Sequence, residues 1–414
     1  MKTRTICIAI LFVLSVALPV AAQECESPEF KAALGKVKAE QAQLLTYKLH
    51  DEMDAEVPPP LQAQIRSFKD ALAELGDAEV GCASIADDAE TLESELAGLL
   101  GANKPETQET SDANKPPQLD HIYGDGIRVK VTAPEQPQHL LLIEFAFGIA
   151  CGEDSMLLAY EWRGGRWQRA LRWQSGDYGE VKDAFGDFFN YVVVPQQGEG
   201  GWLLAAAHGS PWCTSRWSGF GLDLVQPATK QISQKVLQHI DHGYVRGDVE
   251  PVLKLVPGGF QLKVETGMID MDVMTRTGIF RYRVNGGQLE HVQPIANNGR
   301  DFVDEWLQAP WADATRWSAP KALAALQEIH VRIGEKRYDK DSPTFTFGSV
   351  RSCSDATSHF QVELDAEWVS DKGSSKPAGT TYFQIEQGMN SFTMLSAASA
   401  PDPKCTGADI MKAR

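Results

Sequence analysis

The string His239-Ile240-Asp241-His242 brings two imidazoles and a carboxylate into four residues, a donor set suited to Zn²⁺. His208 is the upstream imidazole that can join it, but the flanking histidines that complete such strings in metallohydrolases are missing. Asp241-His242-Gly243 also has turn composition, which places it at the end of a strand. Asp270 and Asp272 alternate, so on a strand they share one face, with Glu265 nearby and Met268, Ile269, Met271 and Met274 consistent with a core on the other. Paired carboxylates bind Ca²⁺ or act as general acid and base. Gly152-Glu153-Asp154-Ser155 has the makings of an acidic turn. His208-Gly209-Ser210 sets a serine beside an imidazole, yet the Gly-x-Ser-x-Gly elbow is absent, and Ser210-Pro211 has the composition of a turn.

Tryptophan is the other lead. Six of the ten fall between 162 and 217, among Arg163, Arg166, Arg169, Arg172 and Arg216. Trp162, Trp167, Trp202, Trp212 and Trp217 are candidate platforms for sugar rings or peptides, if their indoles face solvent. The competing expectation is that these rings fill a β core and the arginines stack on them.

The compartment follows from the first 22 residues. Lys2 and Arg4, the apolar run from Ile6 to Val20 and the small-residue exit through Ala22 form a secretory signal with cleavage near Ala22. The expected location is periplasmic or secreted. Cys7 leaves with the signal, and the six remaining cysteines are expected as Cys25–Cys82, Cys151–Cys213 and Cys353–Cys405. No later apolar run approaches the ~18 residues of a bilayer span, so no membrane insertion is expected after cleavage. The chain carries a net charge of −17. Residues 23–120 hold 21 acids against 8 bases, and 121–414 hold 35 against 29. That sign opposes nucleic acid and anionic lipid.

The elements that would position these residues fall into parts. An acidic helical hairpin spans 23–100, where Ser27-Pro28-Glu29 opens a helix, Pro58-Pro59-Pro60 stops it, and stripes follow at Leu61, Ile65, Phe68, Leu72, Leu75 and at Ile85, Leu92, Leu96, Leu99. Residues 101–118 form a polar, proline-bearing linker. Residues 119–297 form a mainly β domain with a repeat of about 61 residues: Cys151 and Cys213 each follow an apolar strand, and Tyr160 to Gly165 returns as Tyr282 to Gly287. Three four-stranded units result, propeller-like or sandwich-like, with closure requiring help from outside them. Residues 298–414 form a small α+β domain, with helices at Asp301–Leu307 and Lys321–Ile333 and a final antiparallel meander.

These features give a multidomain, disulfide-stabilised binding protein with an unknown protein or glycan partner, noncatalytic and without an expected cofactor, Ca²⁺ or Zn²⁺ being the only metals with donors in sight. Two alternatives differ from it. One is a carbohydrate-active hydrolase or lyase using a carboxylate pair; the other is an accessory subunit that docks through its helical head.

Overall fold

The computed structural model describes residues 27–48, 56–103, 122–176, 178–196, 201–213, 215–230, 232–247, 249–337, 339, 342–369 and 374–411. The proposed signal and Cys25 lie outside them.

Three helices come first: α1 (Pro28–Leu44), α2 (Pro59–Cys82) and α3 (Ala89–Leu100). Ser27 caps α1 by accepting a 3.0 Å hydrogen bond from the Phe30 N–H. Asp88 caps α3 in the same way, and Gly101 ends it at φ 62°. The prolines act differently from expectation. Pro58 precedes α2 and Pro59 opens it, because the first turn of a helix has no use for the missing N–H.

Among the described residues, sixteen strands form four antiparallel sheets, each a meander of four consecutive strands. Sheet 1 contains β1 (Arg128–Thr132), β2 (Leu140–Ile149), β3 (Gly152–Arg163) and β4 (Arg166–Gln174). Sheet 2 contains β5 (Gly186–Pro195), β6 (Trp202–Gly209), β7 (Trp217–Gln226) and β8 (Lys235–Val245). Sheet 3 contains β9 (Val252–Val256), β10 (Gly259–Gly267), β11 (Thr275–Asn285) and β12 (Gln288–His291). Sheet 4 contains β13 (Thr344–Ser352), β14 (His359–Val369), β15 (Ser375–Gln387) and β16 (Phe392–Ala398).

The repeat is now structural. Gly164-Gly165 turns β3 into β4 with both φ positive, and Gly286-Gly287 turns β11 into β12 the same way, the two-residue hairpin that matches strand twist. Cys151 follows the second strand of sheet 1 and Cys213 the second strand of sheet 2. They are bonded, with Cα atoms 4.8 Å apart. Cys353–Cys405 ties the end of β13 to the tail, with Cα atoms 3.8 Å apart. These two bonds indicate an oxidising, extracytoplasmic environment. Among the described residues no helix is long and apolar enough to cross a membrane.

Core packing explains the continuous apolar runs. In β2, Leu141, Ile143 and Phe145 join the helices in one core, whereas Leu140 and Leu142 face Val193, Leu204 and Ala206 of sheet 2. In β6, Leu204 and Ala206 face sheet 1 while Leu203, Ala205 and Ala207 share a core with Phe260 and Leu262 of sheet 3. A strand buried on both faces has no polar alternation to show. The helical head is thus part of the sheet 1 core: Phe68 meets Phe147 edge-on at 5.0 Å between ring centroids. Of the head's apolar stripes, Leu61, Ile65, Phe68, Leu72, Leu75, Leu92 and Leu96 are buried in that core, while Ile85 stays exposed.

The last core joins sheet 4 to α4 (Gly299–Gln308), α5 (Trp311–Arg316) and α6 (Leu323–Ile329). The helix expected over Lys321–Ile333 is present as one continuous run: a tighter turn at Pro320–Ala322, α6, and a wider turn at His330–Glu335. There Gly334 lies so close to the Leu307 carbonyl that a Cβ would collide with it.

Candidate ligand groove

Sheets 2 and 3 leave a groove of about 520 Å³ at the end where β7 and β11 begin and β8 and β10 finish. It is lined by Arg216, Arg246, Gly247, Val249, Glu265 and the run Thr275-Arg276-Thr277. Backbone pairing fixes the first wall: Trp217 stands opposite Val245 in the register of β7 and β8, and the Arg246 N–H donates to the Arg216 carbonyl at 2.7 Å. The second wall is the pairing of Gly267 with Thr275 and of Glu265 with Thr277 across β10 and β11. Trp217 lies against Gly267, where a Cβ would stand 3.0 Å from the indole and would push that ring outward. The indole is 46% exposed.

Three guanidiniums meet here. Arg246 pairs with Asp187 through Nε and donates to the Trp212 carbonyl through Nη1 at 2.6 Å. Arg276 is sealed among Asp304 and Glu305 of α4, paired through Nε and Nη2. Burial opposes its charge, but those two carboxylates raise its pKa above the ordinary arginine value. Asp187 and Asp304 are both pushed up by burial, against the pull of their arginines. Arg216 is more exposed and stands 3.5 Å from Glu265. After these pairings, Nη2 of Arg246 and Nη1 of Arg276 are buried with no hydrogen-bond partner among the described residues. An unpaired buried donor costs about 1–3 kcal/mol, and more when charged. A smaller cleft of about 270 Å³ adjoins through the same three residues, Thr275 to Thr277, and is lined also by Asp270, Asn298 and Arg300.

The sequence candidates distribute around this frame. Asp270 and Asp272 are in a turn, not on a strand. Asp270 is buried and its carboxylate accepts from the backbone N–H groups of Asp272, Val273 and Phe347 at 2.9, 3.3 and 3.1 Å. It pins the β10–β11 connection to β13, whereas Asp272 is exposed, so the two do not work as a pair. Met271 and Met274 are exposed, not core. Acidic turn composition at Gly152–Ser155 likewise misled: these residues are in β3, and Asp154 faces a buried lysine.

The metal string lies inside β8 and not at its end, because Asp223 and Gly219 of β7 hold His239 and Gly243 in register. Strand alternation separates its members. His239 and Asp241 lie on the side facing Asp223, with Nδ1 of His239 2.7 Å from Asp223 and Nε2 3.0 Å from Asp241. Burial works against charge on His239, yet the two carboxylates hold its pKa above the ordinary value. His242 instead stacks between Phe220 and Phe280, and burial lowers its pKa to about 4. His208 does join the His239 face across Gly221, but it stacks on Phe185 with centroids 3.6 Å apart. Among the described residues no three His, Cys, Asp or Glu side chains are placed to hold a metal ion.

The tryptophans do not form one face. Trp202 is buried and donates to Glu161 at 2.5 Å, beside a second groove of about 470 Å³ near the two Gly-Gly turns. Trp162 and Trp167 meet edge-on at 5.4 Å in one hairpin. Trp212 is partly buried and its carbonyl serves Arg246. Only Trp217 of the five candidates combines strong exposure with a neighbouring groove. Arg246 and Arg276 were missed, since single arginines in polar strand ends give no motif; the nearest signal was the polar alternation of Thr275-Arg276-Thr277.

No family model matches the chain, and no curated protein matches it. A solved structure described as "Structure of Bdellovibrio bacteriovorus Bd1075" is 10% identical to it, over 60% of this chain and 90% of that one, with a TM-score of 0.16. At that score the likeness carries no argument about fold or activity.

Proposed function

We propose that this chain is an extracytoplasmic, noncatalytic binding protein that holds its ligand in the groove between sheets 2 and 3. One observation carries this: three guanidiniums, Arg216, Arg246 and Arg276, line the groove against a single acid, Glu265. An acceptor-rich ligand complements that charge, and the groove volume falls in the usual range for small ligands, about 300–1,000 Å³. The second groove has one guanidinium, Arg163, beside an acid, Glu161, to which the Trp202 indole N–H is already bonded. The sheets form a propeller-like array left open, with the helical head covering the outer face of sheet 1. The first 22 residues are the signal that exports it, and a mature N-terminus at Gln23 is the expected result of sequencing the secreted product.

The test is a thermal-shift panel on the mature oxidised protein, using glycans, peptides and divalent cations with and without chelator. A ligand that binds only the native state raises the melting temperature. The expected result is a shift that disappears in Arg246→Gln and persists in Trp162→Ala. A shift abolished by Trp162→Ala but unchanged in Arg246→Gln would place binding elsewhere and overturn the proposal.

A further inference from the structure

We infer that the groove's ligand is a glycan carrying carboxylates, of the uronic-acid type; this rests on the groove being the binding site. The lining has three cationic side chains, Arg216, Arg246 and Arg276, against one acid, Glu265. The carboxylates that balance Arg246 and Arg276, namely Asp187, Asp304 and Glu305, do not line it. The groove therefore presents donors that suit an oxyanion, inside a chain whose net charge is −17. Guanidinium and carboxylate match in geometry as well as sign.

The sugar part of the inference comes from the other residues. Trp217 directly follows the lining residue Arg216, lies against Gly267, which pairs with the lining residue Thr275, and keeps nearly half of its surface open. An indole face offers apolar area to the C–H side of a pyranose ring. Thr275 and Thr277 add hydroxyls that both donate and accept, and Glu265 adds an acceptor held only loosely by Arg216 at 3.5 Å. A ring bearing hydroxyls and a carboxylate uses all of these. A simple anion leaves Glu265 and the indole without a role, and a fatty acid leaves Glu265 without one.

Isothermal titration of the mature protein with trigalacturonate, a neutral galactose trisaccharide and inorganic phosphate tests it. The expected result is saturable binding of trigalacturonate at least tenfold tighter than either other probe, weakening as salt rises. Trp217→Ala and Arg216→Gln, both at exposed positions, should each weaken it about tenfold, and Trp217→Tyr should recover part of the loss. Circular dichroism and melting temperature of each variant establish that it is folded. Equal binding of the neutral sugar, or phosphate binding that Trp217→Ala leaves unchanged, would overturn the acidic-glycan inference while the groove remained the site. Binding of any probe that all three variants leave unchanged would overturn both, and no binding of any probe would overturn the acidic-glycan inference.

Discussion

Lys69 Nζ of α2 lies 2.8 Å from Asp154 Oδ2 of β3, with both side chains sealed from solvent. Ser175 and Tyr178 complete the cage around the ammonium, at 2.8 and 3.1 Å. Burial lowers the lysine pKa even though Asp154 pulls the other way. The ion pair is therefore one buried polar contact that ties the helical head to the first sheet.

Removing one partner of a buried pair leaves a charge without compensation. Lys69→Met should cost about 3–5 kcal/mol in denaturant unfolding. Asp154→Ala should cost more, because that carboxylate also accepts from Ser175 and from the Phe185 N–H at 3.2 and 3.0 Å. Equal stability of wild type and Lys69→Met would show that the head does not depend on this contact.

Glu79 of α2 gives the head a pH dependence. Burial, followed by the neighbouring Glu95 carboxyl, raises its pKa to about 7. An acid raised in the folded state binds its proton more tightly there than in the unfolded chain. Its contribution to stability is complete below about pH 4.5 and is lost as pH climbs through 7. Melting temperature measured from pH 4.5 to 8 should fall less for Glu79→Gln than for wild type, by a few degrees. Parallel profiles would rule this out.

His208 works in the opposite direction. Burial, followed by its neighbour His239, lowers its pKa to about 3, and neither ring nitrogen has a partner among the described residues. The unfolded chain takes up a proton near pH 6.5 that the folded imidazole refuses, so stability falls as pH drops from there. His208→Leu should raise the melting temperature, and by more at pH 5 than at pH 8. A loss of stability at both values would mean that the imidazole makes a contact worth more than its burial costs.

The third disulfide is checked by chemistry. Nonreducing peptide mapping of the mature protein should recover Cys151–Cys213 and Cys353–Cys405, leaving Cys25 with Cys82. A fragment joining Cys25 to any other cysteine would break the hairpin topology from which that pairing was argued.

Much of the architecture could be read from residue patterns, and the reasons are local. Ser27-Pro28-Glu29 is a cap signal that acts within one turn. The Gly-Gly turns recur because the hairpin needs two positive φ angles in a row. The meander of sheet 4 followed from four spaced strands. What failed depended on distant partners. Asp241-His242-Gly243 has turn composition, but β7 holds it in a strand. Asp270 resembles half of a carboxylate pair until β13 supplies the Phe347 N–H. The groove itself is assembled from residues up to 61 positions apart, Arg216 to Thr277, and no short window contains it.

The most direct test locates the ligand. Amide hydrogen exchange of the mature protein, with and without saturating trigalacturonate, should show new protection confined to Trp217–Phe220, Gly243–Gly247 and Glu265–Thr277. Protection centred on Gly201–Leu203 and Gln226–Thr229 instead would assign binding to the second groove and contradict the site proposed for this protein.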